Sequence, residues 1–233
     1  MTERPVGRPV SRQVDLTSAR SFAFYRFARW VASVLFFYPW RVVIRGAERL
    51  PKTGAFILAP SHRSLLDIPW TSRVATRRVR FIGKASLYQM PILGRIFTTL
   101  GGFSVERDGS DRSTLRAAIA SLKTGDIIAI FPEGTRQTGP LICDFQPGAA
   151  YLAIKAQVPV VPVGLAGTET PSGRWRLPRF QRGVMLIGEP MFPPVTTSSS
   201  VKRELVDEFS AAIKLELQRL FNDAAVLRSE FVR

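Results

Sequence analysis

The 233-residue sequence has one histidine, His62, and one cysteine, Cys143. A lone cysteine excludes an internal disulfide, and one histidine with one cysteine leaves no conventional zinc-binding set, so no structural metal is expected. Beside Ile142, Cys143 reads as a small buried hydrophobe rather than a nucleophile. Acids are scarce as well: 18 stand against 33 lysines and arginines, a formal charge of +15. A surface of that sign attracts phosphate, carried by nucleic acid or by anionic lipid. The charge comes without a helix-turn-helix, zinc-finger or aromatic RNA-binding signature, so nucleic acid is not an expected partner. There is no internal repeat and no extended low-complexity segment.

Residues 1–20 lack the charged region, apolar core and small-residue cleavage site of a secretory signal, and they read as a flexible basic tail. No apolar run reaches the ~20 residues of a spanning helix. Residues 21–40 come nearest, but Arg26, Arg29 and Pro39 interrupt them. Phe22, Tyr25, Phe27, Trp30, Phe36, Phe37, Tyr38 and Trp40 are types that settle at a water–lipid boundary, where arginines reach phosphate headgroups. The segment therefore reads as a membrane-associating amphipathic helix lying in one leaflet of an anionic membrane. The alternative is an amphipathic helix packed on the protein's own core.

Residues 41–233 read as one domain of alternating elements. Strands are expected at 41–46, 55–59, 79–83, 101–107, 126–131, 158–165 and 183–188. Helices are expected at 65–74, in two pieces across 84–100, from Ser110 to Gly125, at 148–157 and at 201–227. The helix after Ser110 sets Leu115, Ala118, Ile119 and Leu122 on one face, and the last sets Leu205, Phe209, Ile213, Leu217 and Leu220 together. Residues 167–182 read as a long surface loop. This alternation predicts an α/β fold: a mostly parallel or mixed central sheet flanked by helices, with functional residues in loops at one sheet end.

Against that frame of hydrophobic elements, His62 stands out, five positions before Asp67. Imidazole titrates near neutral pH, and a carboxylate on its second nitrogen would fix the tautomer and stabilise the imidazolium. Residues five apart on a helix are about 140° apart around its axis, so the two cannot meet on one helical face. His62 is expected on a loop entering a helix. For the neighbouring Ser61 and Ser64, local capping or turn bonding is favoured over nucleophilic catalysis.

Four segments now occur in order: His62-x4-Asp67, Gly102-Phe-Ser-Val-Glu-Arg107, Phe131-Pro-Glu-Gly-Thr-Arg136 and Val158-Pro-Val-Val-Pro-Val-Gly164. Together they resemble the PlsC-like glycerolipid acyltransferases, among them the 1-acylglycerol-3-phosphate acyltransferases, over roughly Val42 to Pro190. The resemblance implies transfer of an acyl group from acyl-CoA or acyl-carrier protein to the free hydroxyl of lysophosphatidic acid. The product would be phosphatidic acid. The thioester is a substrate and no bound cofactor is implied. His62 would take the hydroxyl proton, Asp67 would orient it, and backbone amides near the helix start would be candidate oxyanion donors. Arg107, Glu133, Gly134, Thr135 and Arg136 would hold the acceptor phosphate, with Lys84 a weaker candidate. Such an enzyme would work peripherally or monotopically at the cytoplasmic face of the cell membrane. Phe145-Gln-Pro-Gly-Ala149 departs from the aromatic-lysine-lysine-glycine-alanine pattern of the family. The alternatives are an acyltransferase for another lysophospholipid, an amino-acid lipid or a glycolipid, and a non-catalytic basic module that binds membrane or nucleic acid.

Overall fold

The computed structural model describes residues 19–84, 94, 102–105, 112–169, 182–196 and 200–231. Its centre is built from short apolar runs long enough for strands and too short for helices. These are β2 (Phe56–Pro60), β5 (Ile127–Ala129) and β6 (Val160–Ala166), buried at every position. Burial on both faces is what a sheet covered by helices on each side requires. Around them lie β1 (Val43–Arg45), β3 (Val79–Lys84), β4 (Phe103–Val105) and β7 (Val184–Ile187), in the spatial order β1-β7-β6-β2-β5-β3-β4. Every neighbouring pair is parallel except β6 with β7. The sheet is thus mixed and mostly parallel.

Helix α1 (Ala19–Phe36) leads into a 3-10 turn at Tyr38–Trp40 and then β1, while α2 (Asp67–Val74) joins β2 to β3. α3 (Arg112–Lys123), α4 (Gly148–Ala156) and α5 (Arg203–Glu230) follow. Strand alternation sends Phe56 and Leu58 to one face, with Trp70, Val79 and Phe81, and Ile57 and Ala59 to the other, with Leu122, Leu152 and Ile213. On the first face Trp70 is fully buried and its indole N–H donates to Phe36 O, tying the end of α1 to α2. On the second, α5 lies almost flush on β6: a Cβ on Gly164 would stand 2.7 Å from Phe221 N, inside van der Waals contact.

The α1 helix packs one face on the body of the protein and leaves an apolar face outward. Tyr25 and Ser33 turn inward, whereas Phe24, Phe27, Trp30, Val34 and Leu35 are exposed. Among the described residues no helix is long and apolar enough to cross a membrane. The helical pieces expected across 84–100, apart from Lys84 and Gly94, and most of the loop at 167–182, lie outside the described residues. Cys143 is a correction: it is exposed, because residues 137–144 form a polar surface segment whose one inward side chain here is Ile142.

Candidate active site

The loop between β2 and α2 starts with Ser61, whose hydroxyl accepts the Leu165 N–H at 3.0 Å. Fully buried and tied to β6, Ser61 is a fastener rather than a nucleophile. The chain then curls so that Asp67, first residue of α2, faces back on it. Asp67 Oδ2 accepts the Arg63 N–H at 2.6 Å and the Ser64 N–H at 2.7 Å, and it meets His62 Nδ1 at 2.9 Å. The carboxylate is wholly buried, the imidazole 13 % exposed. All three contacts converge on one carboxylate oxygen, and on the imidazole side it is Nδ1 that Asp67 engages, so Nε2 is the ring nitrogen Asp67 does not hold. Phe131 stacks on the imidazole at 4.0 Å between ring centres and fixes its plane.

The second loop, after β5, comes to the same place. Glu133 is buried; its Oε1 accepts the His62 N–H at 2.6 Å, and its Oε2 takes Arg63 Nη1 at 2.7 Å. Burial pushes the Glu133 carboxyl up, and the His62 amide and the Arg63 guanidinium pull it back down. Arg63 Nη2 donates to Leu141 O at 3.2 Å, and its guanidinium carbon stands 4.5 Å from the centre of the Phe221 ring of α5. Gln137 N donates to His62 O at 3.0 Å and closes the pair of loops.

Gly134, Thr135 and Arg136 are exposed on the outer side of this turn. Gly134 has φ +67°, a left-handed conformation that a side chain would strain. The turn rests on the departing segment: Gln146 N donates to Pro132 O at 2.6 Å, and a Cβ on Gly134 would meet Gln146 Cγ at 3.1 Å. Arg107 lies outside the described residues, as does the side chain of Lys84, the last residue of β3. His62, Asp67 and Glu133 are therefore joined directly, with residues 134–136 alongside.

Most amides at the helix start are already engaged. Those of residues 62–64 go to Glu133 and Asp67, that of Leu66 to Ser64 Oγ, and those of Asp67 and Ile68 to backbone carbonyls. The candidate oxyanion donors of residues 62–68 narrow to the Leu65 N–H. Sequence reasoning passed over Arg63 and Phe131. An arginine adjoining the histidine, with a glutamate in the other motif, is the one signal the sequence carries, and it does not distinguish a buried pair from two surface charges. Among the described residues no group of three histidine, cysteine, aspartate or glutamate side chains is placed to hold a metal.

Comparison with known proteins gives a consistent result. The sequence model of the Acyltransferase family matches residues 41–166. A 1-acyl-sn-glycerol-3-phosphate acyltransferase of Salmonella typhimurium is 29% identical over 178 residues, which is 74% of this chain and 71% of that protein. The Bacillus subtilis protein of the same name is 28% identical over 170 residues, 72% of this chain and 82% of its own. The crystal structure of the 1-acyl-sn-glycerophosphate acyltransferase PlsC from Thermotoga maritima superposes with a TM-score of 0.66 at 30% identity, covering 85% of this chain and 81% of that one.

Proposed function

We propose, because this chain belongs to the Acyltransferase family, that it transfers a fatty acyl group from a thioester, acyl-CoA or acyl-carrier protein, to the free hydroxyl of 1-acylglycerol-3-phosphate. The relatives that bear that name motivate the acceptor, and the observation that carries the mechanism is the 2.9 Å contact between His62 Nδ1 and Asp67 Oδ2. With Nδ1 held, Nε2 takes the proton of the acceptor hydroxyl as its oxygen attacks the thioester carbonyl. The C–S bond then breaks, and the imidazolium returns the proton to the departing thiolate. A thiolate leaves readily, so no acyl-enzyme is needed.

The exposed Arg136 and Thr135, with Arg107, suit the acceptor phosphate: a guanidinium fork and a hydroxyl match its oxygens, and Gly134 lets backbone approach. Glu133 serves differently, because both its oxygens are spent on His62 and Arg63. It supports the site as a brace. The apolar outer face of α1 lies in one leaflet of an anionic membrane at the cytoplasmic side and brings the site to its lipid substrate. The test is purified protein with lysophosphatidic acid and labelled acyl-CoA or acyl-carrier protein. Phosphatidic acid is the expected product. Acylation only of a lysophospholipid without a phosphomonoester, or of an amino-acid lipid or glycolipid, would overturn the acceptor while keeping the reaction class.

A further inference from the structure

The contact between His62 and Asp67 uses one oxygen of the carboxylate. Oδ2 meets His62 Nδ1 and accepts the Arg63 and Ser64 amides, whereas Oδ1 has no hydrogen-bond partner among the described residues. Yet the Asp67 side chain is fully buried. A carboxylate oxygen shut away from solvent without a donor is unfavourable, so a donor within reach of it is strongly favoured to bond there. One is present. Thr71 stands one turn further along α2 and is fully buried, and its hydroxyl oxygen likewise has no partner among the described residues.

The placement of these two oxygens follows from the helix. Asp67, Trp70, Thr71 and Val74 are the buried residues of α2, in the spacing that sets one stripe against the body of the protein. Residues four apart on such a stripe have Cβ atoms about 5–6 Å apart, and helical side chains lean toward the N-terminus, so Thr71 leans toward Asp67. The other donors close by are spent. The Trp70 indole N–H goes to Phe36 O, the Leu66 N–H to Ser64 Oγ and the Asp67 N–H to Ser64 O. A hydroxyl inside a helix ordinarily turns back on a carbonyl of the preceding turn, as Ser72 does by donating to Pro69 O at 2.7 Å. Thr71 makes no such bond. Three contacts on Oδ2 hold that oxygen in place but leave the plane of the carboxylate to the χ2 torsion, which is broad for aspartate. A bond to Oδ1 fixes the plane, and with it the direction from which Oδ2 meets the imidazole.

We propose that Thr71 is a positioning residue for the His62–Asp67 pair, its hydroxyl donating to Asp67 Oδ1 directly or across one water. The bearing of this contact on turnover rests on the acyl-transfer reading, while the contact itself is tested without any reaction. His62 is the only histidine, so the imidazole nitrogen signals in an NMR spectrum of the full chain belong to it alone. Thr71→Val keeps the shape and removes the hydroxyl, and Thr71→Ser keeps the hydroxyl and removes the methyl. Compared at one pH, the His62 signals should move in Thr71→Val and stay with the wild type in Thr71→Ser. In the acyl-transfer assay Thr71→Val should lower kcat about tenfold and leave KM within about twofold, and Thr71→Ser should recover most of the loss.

Unchanged His62 signals in Thr71→Val would overturn the proposal. The hydroxyl would then be an unserved buried group, and its removal should raise the melting temperature. Signals that move as far in Thr71→Ser as in Thr71→Val would overturn it as well, because the packing of the methyl would carry the effect. Should Thr71→Val fold poorly, Thr71→Ala and Thr71→Ser, which differ by the hydroxyl alone, make the same comparison, and identical His62 signals in those two would refute the contact. A wild type that transfers no acyl group would overturn the reaction and leave the result from the signals standing, so the two failures are distinguishable.

Discussion

Glu133 and His62 are joined through the main chain: the Glu133 Oε1 accepts the His62 N–H at 2.6 Å, while its Oε2 holds the Arg63 guanidinium at 2.7 Å. One buried side chain thus grips two consecutive residues of the other loop. The peptide carrying the imidazole cannot rotate without breaking a charge-assisted bond to a buried carboxylate. Rigidity of that kind would suit the base proposed for His62, which has to stay aimed at one oxygen.

The buried pair should be strongly coupled. Glu133→Gln and Arg63→Met should each cost about 3–5 kcal/mol, because each leaves a buried group without its partner, and the double variant should cost clearly less than their sum. Chemical denaturation of the four proteins measures this, and additive losses would mean that the two act separately. The same titration has a pH signature. Burial holds Glu133 above its ordinary value of 4.5, so the folded chain binds that proton more tightly than the unfolded one. Wild-type stability should therefore fall as pH rises from about 4.5 through the raised value, and Glu133→Gln should remove that part of the slope.

Removing the base should stop turnover without unfolding the protein. His62→Ala should lower kcat by about 10^3-fold or more, and Asp67→Asn by about 10^2-fold or more, since an amide can still accept the loop N–H groups but offsets no imidazolium charge. Labelled acyl transfer, read beside a melting curve, checks both. Near-normal turnover by His62→Ala would exclude the mechanism.

Arg136 should act on the acceptor rather than on the fold. It is exposed, and among the described residues it has no ion-pair partner, so Arg136→Ala should leave the melting temperature alone and raise KM for a phosphate-bearing acceptor about tenfold or more. An uncharged monoacylglycerol, if accepted at all, should show no such change. Equal effects on both acceptors would place Arg136 outside the phosphate site.

Gly164→Ala tests the seating of α5. A single methyl there would press on the Leu220–Phe221 backbone, and overpacking of this sort costs about 1–3 kcal/mol. Because Phe221 also backs Arg63, activity should decline along with stability, whereas Ala150→Gly on α4 should lower stability alone.

The strands were readable because burial on both faces demands uninterrupted apolar runs, and Phe56–Pro60 and Val160–Ala166 are such runs. α5 was readable from its spacing of three and four. The direction of a strand leaves no mark in its hydrophobicity, which is why the reversal between β6 and β7 emerged only from the pairing. His62 and Asp67 could be found because the chain has no other histidine. Arg63 could not, since an arginine ordinarily signals surface, and its burial depends on Glu133 and Phe221 arriving from distant parts of the chain. Cys143 misled for the converse reason: its neighbour Ile142 is inward, and alternate residues of an extended segment face opposite ways.

The register Val43 with Val184 has a consequence for how the protein is made. β1 emerges from the ribosome early, and its sheet partner β7 is synthesised only after every other strand. Throughout that interval β1 has no neighbour to close upon. On the membrane role proposed above for α1, that helix, emerging still earlier, would reach a lipid surface before the body of the protein is complete. Synthesis at the membrane would then let the last strand close the sheet on a chain already anchored at its other end.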